Sequence, residues 1–175
     1  MIEETKRLKE MVSPLLSWFA GNARKLPWRD DPTAYHVWVS EIMLQQTRVE
    51  AVKPFYARFI GALPDVKALA GCPEDQLLKL WEGLGYYNRV RNMQKAAQIA
   101  VESYAGEMPA DYGTLLSLPG IGSYTAGAVA SIAGGQAVPA VDGNVLRVIS
   151  RICGSEADIA KQSVKREMEE TLLGV

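Results

Sequence analysis

A short glycine-rich segment in the second half of the chain constrains the fold more than any other feature. Residues 118–123, Leu-Pro-Gly-Ile-Gly-Ser, place two glycines in a tight turn directly before an alanine-rich helical run. Glycine adopts backbone angles that other residues avoid, and it lets a ligand approach the main chain closely. The segment therefore predicts a narrow hairpin between two helices, with N–H groups that suit a phosphate. A glycine that only caps a helix is the alternative interpretation.

Apolar residues recur at helical spacing along nearly the whole chain, and no segment alternates as a strand does. Residues 26–33, which contain two prolines, are predicted to form a loop. Pro14 lies inside the first helical run, where proline can bend a helix. Helices are predicted at about residues 3–20, 34–46, 49–60, 65–70, 73–82, 86 or 87 to 103, 112–117, 123–133, 142–153 and 160–172. Short connections between them favour a compact all-α domain.

Length and composition place the chain among ordinary globular proteins. Its 175 residues, 48% of them apolar, fit one domain that can bury a core. It contains no run of about 18 apolar residues, so no membrane span is predicted. The first residues lack the basic-then-apolar order of a signal peptide, so we expect a cytoplasmic protein. Cys72 and Cys153 lie far apart in the sequence and form no zinc or cluster motif by themselves.

The overall charge does not indicate a nucleic-acid partner, but its distribution leaves room for one. The net charge is −1, from 19 basic and 20 acidic residues. Two local basic groups could hold phosphates, although a solvated helix face is an equally good account of either. These groups are Arg24, Lys25 and Arg29, and Arg89, Arg91 and Lys95.

Two carboxylates occupy unlike settings. Glu41 lies within an otherwise apolar helical run, where burial would raise its pKa and keep a proton available. Asp142, in the string Val-Asp-Gly-Asn-Val, stands where aspartate commonly caps a helix. A pair of acids in different environments is typical of acid/base chemistry. An exposed helix glutamate and a structural cap are the alternatives.

Several segments together resemble one family. The chain is similar to the catalytic region of the helix–hairpin–helix DNA glycosylases that carry a Gly/Pro-rich loop and an essential aspartate, and within them to the MutY-type adenine glycosylases. The resemblance covers nearly the whole chain, and the Ser-Glu-Ile-Met-Leu-Gln-Gln-Thr string is its most specific part. The matching segments are 26–29 (Leu-Pro-Trp-Arg), 39–47, 83–89 (Gly-Leu-Gly-Tyr-Tyr-Asn-Arg), the hairpin and 141–145.

This resemblance implies a fold and a domain organisation. The fold is an all-α helix–hairpin–helix glycosylase fold with a six-helix-barrel domain, ending before the family's iron–sulfur region. It implies an N-terminal helix in 1–25, a barrel domain in 26–139 with the hairpin at 118–125, and the start of a cluster-side domain in 140–175. No cofactor is expected within the chain. The family's [4Fe-4S] cysteines and its 8-oxoguanine-recognition domain are expected beyond Val175, and a monovalent cation at the hairpin stays open.

The resemblance also assigns residues to roles. Glu41 would protonate adenine N7 and help with the attacking water, Asp142 would stabilise the sugar cation, and Asn144 would assist. Tyr124 stands where strand-cutting relatives have a lysine, so hydrolysis alone is expected. Trp28, Arg29 and Leu44 would line the adenine pocket. Gln45, Gln46, Thr47 and the wedge Tyr86 would enter the duplex. Gly120, Gly122 and Ser123 would hold a DNA phosphate.

The predicted function is therefore a monofunctional glycosylase that removes adenine mispaired with 8-oxoguanine or guanine in base excision repair. Its expected partner is double-stranded DNA with such a mispair, without a membrane or an obligate protein partner. Two alternatives stay open: a helix–hairpin–helix DNA-binding fragment without catalysis, and a pyrimidine-damage glycosylase with lyase activity.

Overall fold

Helices account for the regular secondary structure. The computed structural model describes residues 2–175, and within that range it contains α-helices and no strand, which confirms the all-α prediction. The first residue of the predicted N-terminal region, Met1, lies outside the described residues. The helices are α1 (Ile2–Asn22), α2 (Pro27–Asp30), α3 (Ala34–Leu44), α4 (Val49–Ala62), α5 (Val66–Gly71), α6 (Glu74–Trp81), α7 (Asn88–Ser103), α8 (Tyr112–Leu116), α9 (Ser123–Ile132), α10 (Gly143–Cys153) and α11 (Gln162–Leu173).

The predicted loop at 26–33 was wrong in its first half. Pro27–Asp30 forms the single helical turn α2, with proline at the start of the turn. Proline suits that position because its fixed φ is helical and its missing N–H would have no helical partner there. Trp28 is buried and anchors the turn to the core. The burial of Trp28 therefore favours a helical turn where the two prolines had predicted a loop.

Two helix ends beside positive-φ residues fall short of the prediction for the same reason. α3 ends at Leu44 instead of Gln46, and α7 begins at Asn88 instead of Tyr86 or Tyr87. Gln46 has a φ of 65° and Tyr86 a φ of 47°. Such left-handed values end a right-handed helix. The other helices agree with the prediction to within a few residues, and α1 runs through Pro14 without a break.

The chain divides into two units, of which one is Leu26–Gln136. In this unit Trp38, Val39 and Met43 of α3 are fully buried. α3 packs against α4 and α9, and α5 packs against α7. The buried stretch of α9 at 126–130, Ala-Gly-Ala-Val-Ala, consists mainly of small side chains, which allow two helices to approach closely. The helix that follows the hairpin is thereby packed against the helix that carries Glu41.

The other unit combines the residues up to Lys25 with Ala137–Val175. Here α1 packs against α10, and Leu8 and Leu146 contribute buried side chains. The second half of α1 differs, because Leu16 is 62% exposed and Trp18 is 59% exposed. This half of α1 therefore exposes an apolar face. None of the helices that the structure describes combines the length and apolar character needed to cross a bilayer.

Candidate active site

Glu41 sits at the border between core and surface. It is half-buried on α3, and residues 37–40 before it and 42–43 after it are buried. The helix is fixed at its start by Thr33, whose Oγ1 accepts a hydrogen bond from the N–H of His36 at 3.2 Å. Ser40 beside Glu41 turns back into the helix and donates to the carbonyl of Val37 at 2.8 Å. The carboxyl group is therefore carried by a rigid, well-packed helix.

Asp142 caps α10 and is held by three hydrogen bonds. Its Oδ1 accepts from the N–H groups of Asn144 at 2.9 Å and Val145 at 2.8 Å. Its Oδ2 accepts from Nδ2 of Asn144 at 2.9 Å. The predicted helix cap is thus present, and both carboxylate oxygens have a fixed orientation.

Arg147 extends this network and was missed in the sequence analysis. Its Nη2 donates to Oδ1 of Asn144 at 2.8 Å, which fixes the amide that in turn donates to Asp142. Asn144 and Arg147 are three residues apart, so they lie on one face of α10. That spacing after Val-Asp-Gly-Asn was the available sequence signal.

The hairpin between α8 and α9 has one glycine that the backbone requires and one that leaves space. Gly120 has a φ of 77°, and a Cβ added there would lie 2.8 Å from Cβ of Asn92. Gly122 precedes α9 with a φ of −95°, and a Cβ there would meet no atom within 4 Å. Ile121 between them is buried and its N–H donates to the carbonyl of Leu118 at 3.3 Å. The buried side chain of Ile121 therefore anchors the turn to the core, while the space beside Gly122 at the start of α9 is open.

Arg89 joins two turns of the chain. Its Nη1 donates to the carbonyls of Ile42 at 2.7 Å and Gln45 at 2.8 Å, at the end of α3. Its Nη2 donates to the carbonyls of Leu84 at 3.0 Å and Gly85 at 3.3 Å, before α7. Arg89 was predicted to belong to a basic group that could hold phosphates, whereas its guanidinium is half-buried and desolvation lowers its pKa.

Aromatic rings complete this junction. The guanidinium carbon of Arg89 lies 5.5 Å from the ring centroid of Trp81 and 5.6 Å from that of Tyr86. Nε1 of Trp81 donates to the carbonyl of Gly85 at 3.0 Å. Trp81 is fully buried, while Tyr86 is 69% exposed. The junction thus links the core to an aromatic side chain that projects from the surface.

An open cleft of about 400 Å³ lies at this junction. A smaller cavity of about 120 Å³ reaches the hairpin. The structure thereby brings three predicted contact residues, Gln45, Gln46 and Tyr86, to one cleft. The cleft is lined by Gln45, Gln46, Tyr86, Tyr87, Asn88 and Arg89, and the cavity includes Gln45, Asn88, Arg89, Asn92, Pro119 and Gly120.

The remaining predicted contact residues have different surroundings. Trp28 is buried and its ring meets that of Tyr56 edge-on, with centroids 5.3 Å apart. Burial raises the pKa of Tyr56 to about 12, and the nearby charge of Asp31 adds to the shift. Leu44 and Thr47 are half-buried at the end of α3, and Arg29 is exposed. Trp28 is therefore part of the core packing as well as a predicted pocket residue.

The residues present do not fit an iron–sulfur cluster. Such clusters use four thiolate ligands, and the chain has two cysteines. Within residues 2–175 no group of three or more His, Cys, Asp or Glu side chains could hold a metal ion.

The family pattern described as HhH-GPD superfamily base excision DNA repair protein matches residues 39–172. The chain belongs to the HhH-GPD superfamily. This confirms the predicted helix–hairpin–helix glycosylase fold class.

Adenine DNA glycosylases are similar to most of this chain. The human adenine DNA glycosylase is 45% identical over 163 residues, covering 88% of this chain and 30% of its own length. The mouse adenine DNA glycosylase is 47% identical over 155 residues, covering 83% of this chain and 30% of its own length. The adenine DNA glycosylase from Buchnera aphidicola subsp. Acyrthosiphon pisum is 41% identical over 155 residues, covering 88% of this chain and 44% of its own length. This chain therefore spans less than half the length of these relatives.

Solved structures share the fold. A thermostable thymine-DNA glycosylase superposes with a TM-score of 0.81 at 26% identity, covering 95% of this chain and 78% of its own. An endonuclease III trapped as a covalent intermediate with DNA superposes with a TM-score of 0.79 at 25% identity. The match covers 96% of this chain and 76% of the endonuclease chain.

Proposed function

We propose that this chain is the catalytic region of a monofunctional adenine DNA glycosylase that acts on adenine opposite 8-oxoguanine or guanine. The similarity over most of its length to adenine DNA glycosylases carries the proposal. Its setting is the repair of DNA by base excision, which in a bacterium takes place in the cytoplasm at the nucleoid.

The chemistry rests on two acids with different tasks. Glu41 donates a proton to the purine, so that the base leaves as a neutral molecule. Asp142 places its carboxylate beside the sugar and stabilises the positive charge that develops there. The three hydrogen bonds to the Asp142 carboxylate support this role, because a fixed anion needs little reorganisation when charge appears. Water then completes the hydrolysis of the N-glycosidic bond.

The reaction ends at base removal. A lyase that cuts the strand needs an amine that attacks the sugar and forms a Schiff base. Tyr124 occupies the position that the resemblance assigns to this amine, and residues 96–160 contain no lysine. A trapped covalent adduct is therefore not expected, in contrast to the endonuclease III complex that superposes on this fold.

DNA is engaged at the hairpin and at the cleft. The start of α9 at Gly122 and Ser123 binds a phosphate, supported by the open space outside Gly122. Gln46 and Tyr86 enter the duplex where the adenine has rotated out, since extruded bases leave a gap that inserted side chains fill. The exposure of Tyr86 supports this role.

A product assay tests the proposal. The chain is incubated in excess with duplexes that contain adenine opposite 8-oxoguanine or an oxidised pyrimidine, with and without borohydride. Free adenine from the first duplex, without a borohydride-trapped adduct on either, is the expected result. Release of the oxidised pyrimidine with a trapped adduct would favour the lyase alternative. Tight binding of the first duplex without release of any base would favour a non-catalytic DNA-binding fragment.

A further inference from the structure

Two residues beside the cleft hold a backbone conformation that L-amino acids rarely adopt. Gln46 has a φ of 65° and Tyr86 a φ of 47°. Gln46 is exposed in the turn after α3, and Tyr86 in the turn before α7. Such conformations persist where surrounding contacts impose them, and they concentrate at functional sites.

The peptide groups directly before these two residues bind the same side chain. The carbonyl of Gln45 belongs to the peptide that leads into Gln46, and the carbonyl of Gly85 to the peptide that leads into Tyr86. Arg89 donates to the first at 2.8 Å and to the second at 3.3 Å. Because φ measures rotation between a residue and its preceding peptide, a fixed peptide plane restrains that rotation. One guanidinium thus restrains both unusual residues.

The additional contacts of Arg89 make this restraint rigid. Its hydrogen bonds to Ile42 and Leu84 add a second carbonyl in each turn. A guanidinium presents several N–H groups in a fixed plane, whereas the ammonium of lysine is a compact point charge on a flexible stem. Lysine therefore cannot bridge four carbonyls in the same way. Arg91, two residues later, is different, since its Nε binds Glu74 at 2.7 Å.

We infer that Arg89 is a positioning residue that presents Gln46 and Tyr86 side by side for insertion into DNA. It acts through the two turns, because both Nη atoms of its guanidinium donate to backbone carbonyls. That the pair inserts into DNA rests on the proposed function. The restraint of the two residues is a property of the protein without DNA.

The restraint is tested first without DNA. Nuclear magnetic resonance of the 175-residue chain reports φ at Gln46 and Tyr86 through carbon shifts and amide couplings. We expect Arg89→Lys and Arg89→Met to remove the positive-φ signature at both residues, while Arg91→Met, the matched control, retains it. Helix content by circular dichroism shows whether each variant is folded, and Arg89→Lys keeps the charge if Arg89→Met unfolds. Unchanged φ at both residues in folded Arg89→Lys would overturn the inference.

The second test asks whether Arg89 acts through the pair. A 2-aminopurine beside the target adenine brightens when the stack opens, and its signal is measured on binding of each variant. We expect Arg89→Lys to weaken the opening equilibrium by at least about tenfold, because the inserted pair offsets the cost of unstacking the base. In a Gln46→Ala/Tyr86→Ala background the same change should have almost no further effect. An equal loss in both backgrounds would assign Arg89 a purely structural role and overturn the inference.

The outcomes also separate the two proposals. If the unmodified chain leaves the 2-aminopurine signal unchanged, the proposed function fails. The φ measurement on the free chain then still decides whether Arg89 restrains Gln46 and Tyr86.

Discussion

The side-chain amide of Asn144 donates to the carboxylate of Asp142 at 2.9 Å, and its own oxygen accepts from Arg147 at 2.8 Å. Asp142 also receives two backbone N–H groups of α10. The helix cap and the proposed catalytic carboxylate are therefore the same group. The cap fixes one oxygen through the backbone and leaves the orientation of the other to Asn144.

Removing the amide of Asn144 tests this orientation. We expect Asn144→Ala to reduce single-turnover adenine release by about 100-fold, the lower end of what a positioned polar group contributes, with DNA binding nearly unchanged. Arg147→Met should reduce it less, because Asn144 keeps its bond to Asp142. Gln162→Ala, on the exposed start of α11, is the control. Equal rates for Asn144→Ala and the control would remove Asn144 from the mechanism.

The two hairpin glycines should separate stability from binding. Gly120→Ala forces a side chain onto a positive φ and against Asn92, so we expect it to lower the free energy of unfolding by about 1–3 kcal/mol. Gly122→Ala has an ordinary φ and open space, so stability should change little while DNA affinity falls. Urea unfolding and fluorescence anisotropy measure the two effects. Full DNA affinity in Gly122→Ala would argue against a phosphate at this turn.

The buried tyrosine beside Trp28 predicts a loss of stability at alkaline pH. An unfolded tyrosine has a pKa near 10, whereas burial raises that of Tyr56 to about 12. Because the pKa is higher in the folded state, protonated Tyr56 contributes to the free energy of unfolding fully below pH 10. That contribution is lost as pH rises towards 12. Between neutral and alkaline pH, the free energy of unfolding should fall by on the order of 1 kcal/mol because of Tyr56, allowing for solvent screening, and Tyr56→Phe should remove this fall. Unfolding at pH 8 and pH 11 measures it, with Tyr104→Phe as control. An identical pH dependence in both variants would contradict the assignment.

The two halves of α1 should respond differently to substitution. Leu8 is fully buried, so Leu8→Ala should destabilise the chain by about 2–5 kcal/mol. Leu16 and Trp18 are more than half exposed, so Leu16→Ser/Trp18→Ser should leave stability nearly unchanged and reduce self-association. Sedimentation velocity over a range of concentrations measures the association. A monomer at all concentrations before substitution would show that this face does not drive it.

Local sequence patterns predicted most of the helices because apolar periodicity and capping residues act over a few residues. Asp65, Asp111 and Asp142 each cap a helix as their type and position suggest. The motif strings predicted that Gln46 and Tyr86 contact DNA. Their left-handed backbone could not be read from these strings, because non-glycine residues adopt it rarely and persist in it where the surrounding structure imposes it.

The long-range contacts are the part that sequence alone did not supply. Arg89 is 47 residues from Ile42 along the chain, and its charge suggested a surface role. Only the packing of α7 brings its guanidinium to the end of α3. Trp28 is a second example, since it is buried in a helical turn where the prolines predicted a loop. In both cases one tertiary contact outweighed the local pattern.

Adenine release under single-turnover conditions by Glu41→Gln and Asp142→Asn tests the central claim most directly. Each change keeps the size of the side chain and removes its carboxyl chemistry. Asp111→Asn is the matched control, because Asp111 caps α8 through a 2.8 Å bond from the N–H of Thr114 in the same way that Asp142 caps α10. We expect both site variants to bind the adenine–8-oxoguanine duplex, to lose adenine release by at least about 100-fold, and the control to keep it. Release by Glu41→Gln and Asp142→Asn at the rate of the control would contradict the account.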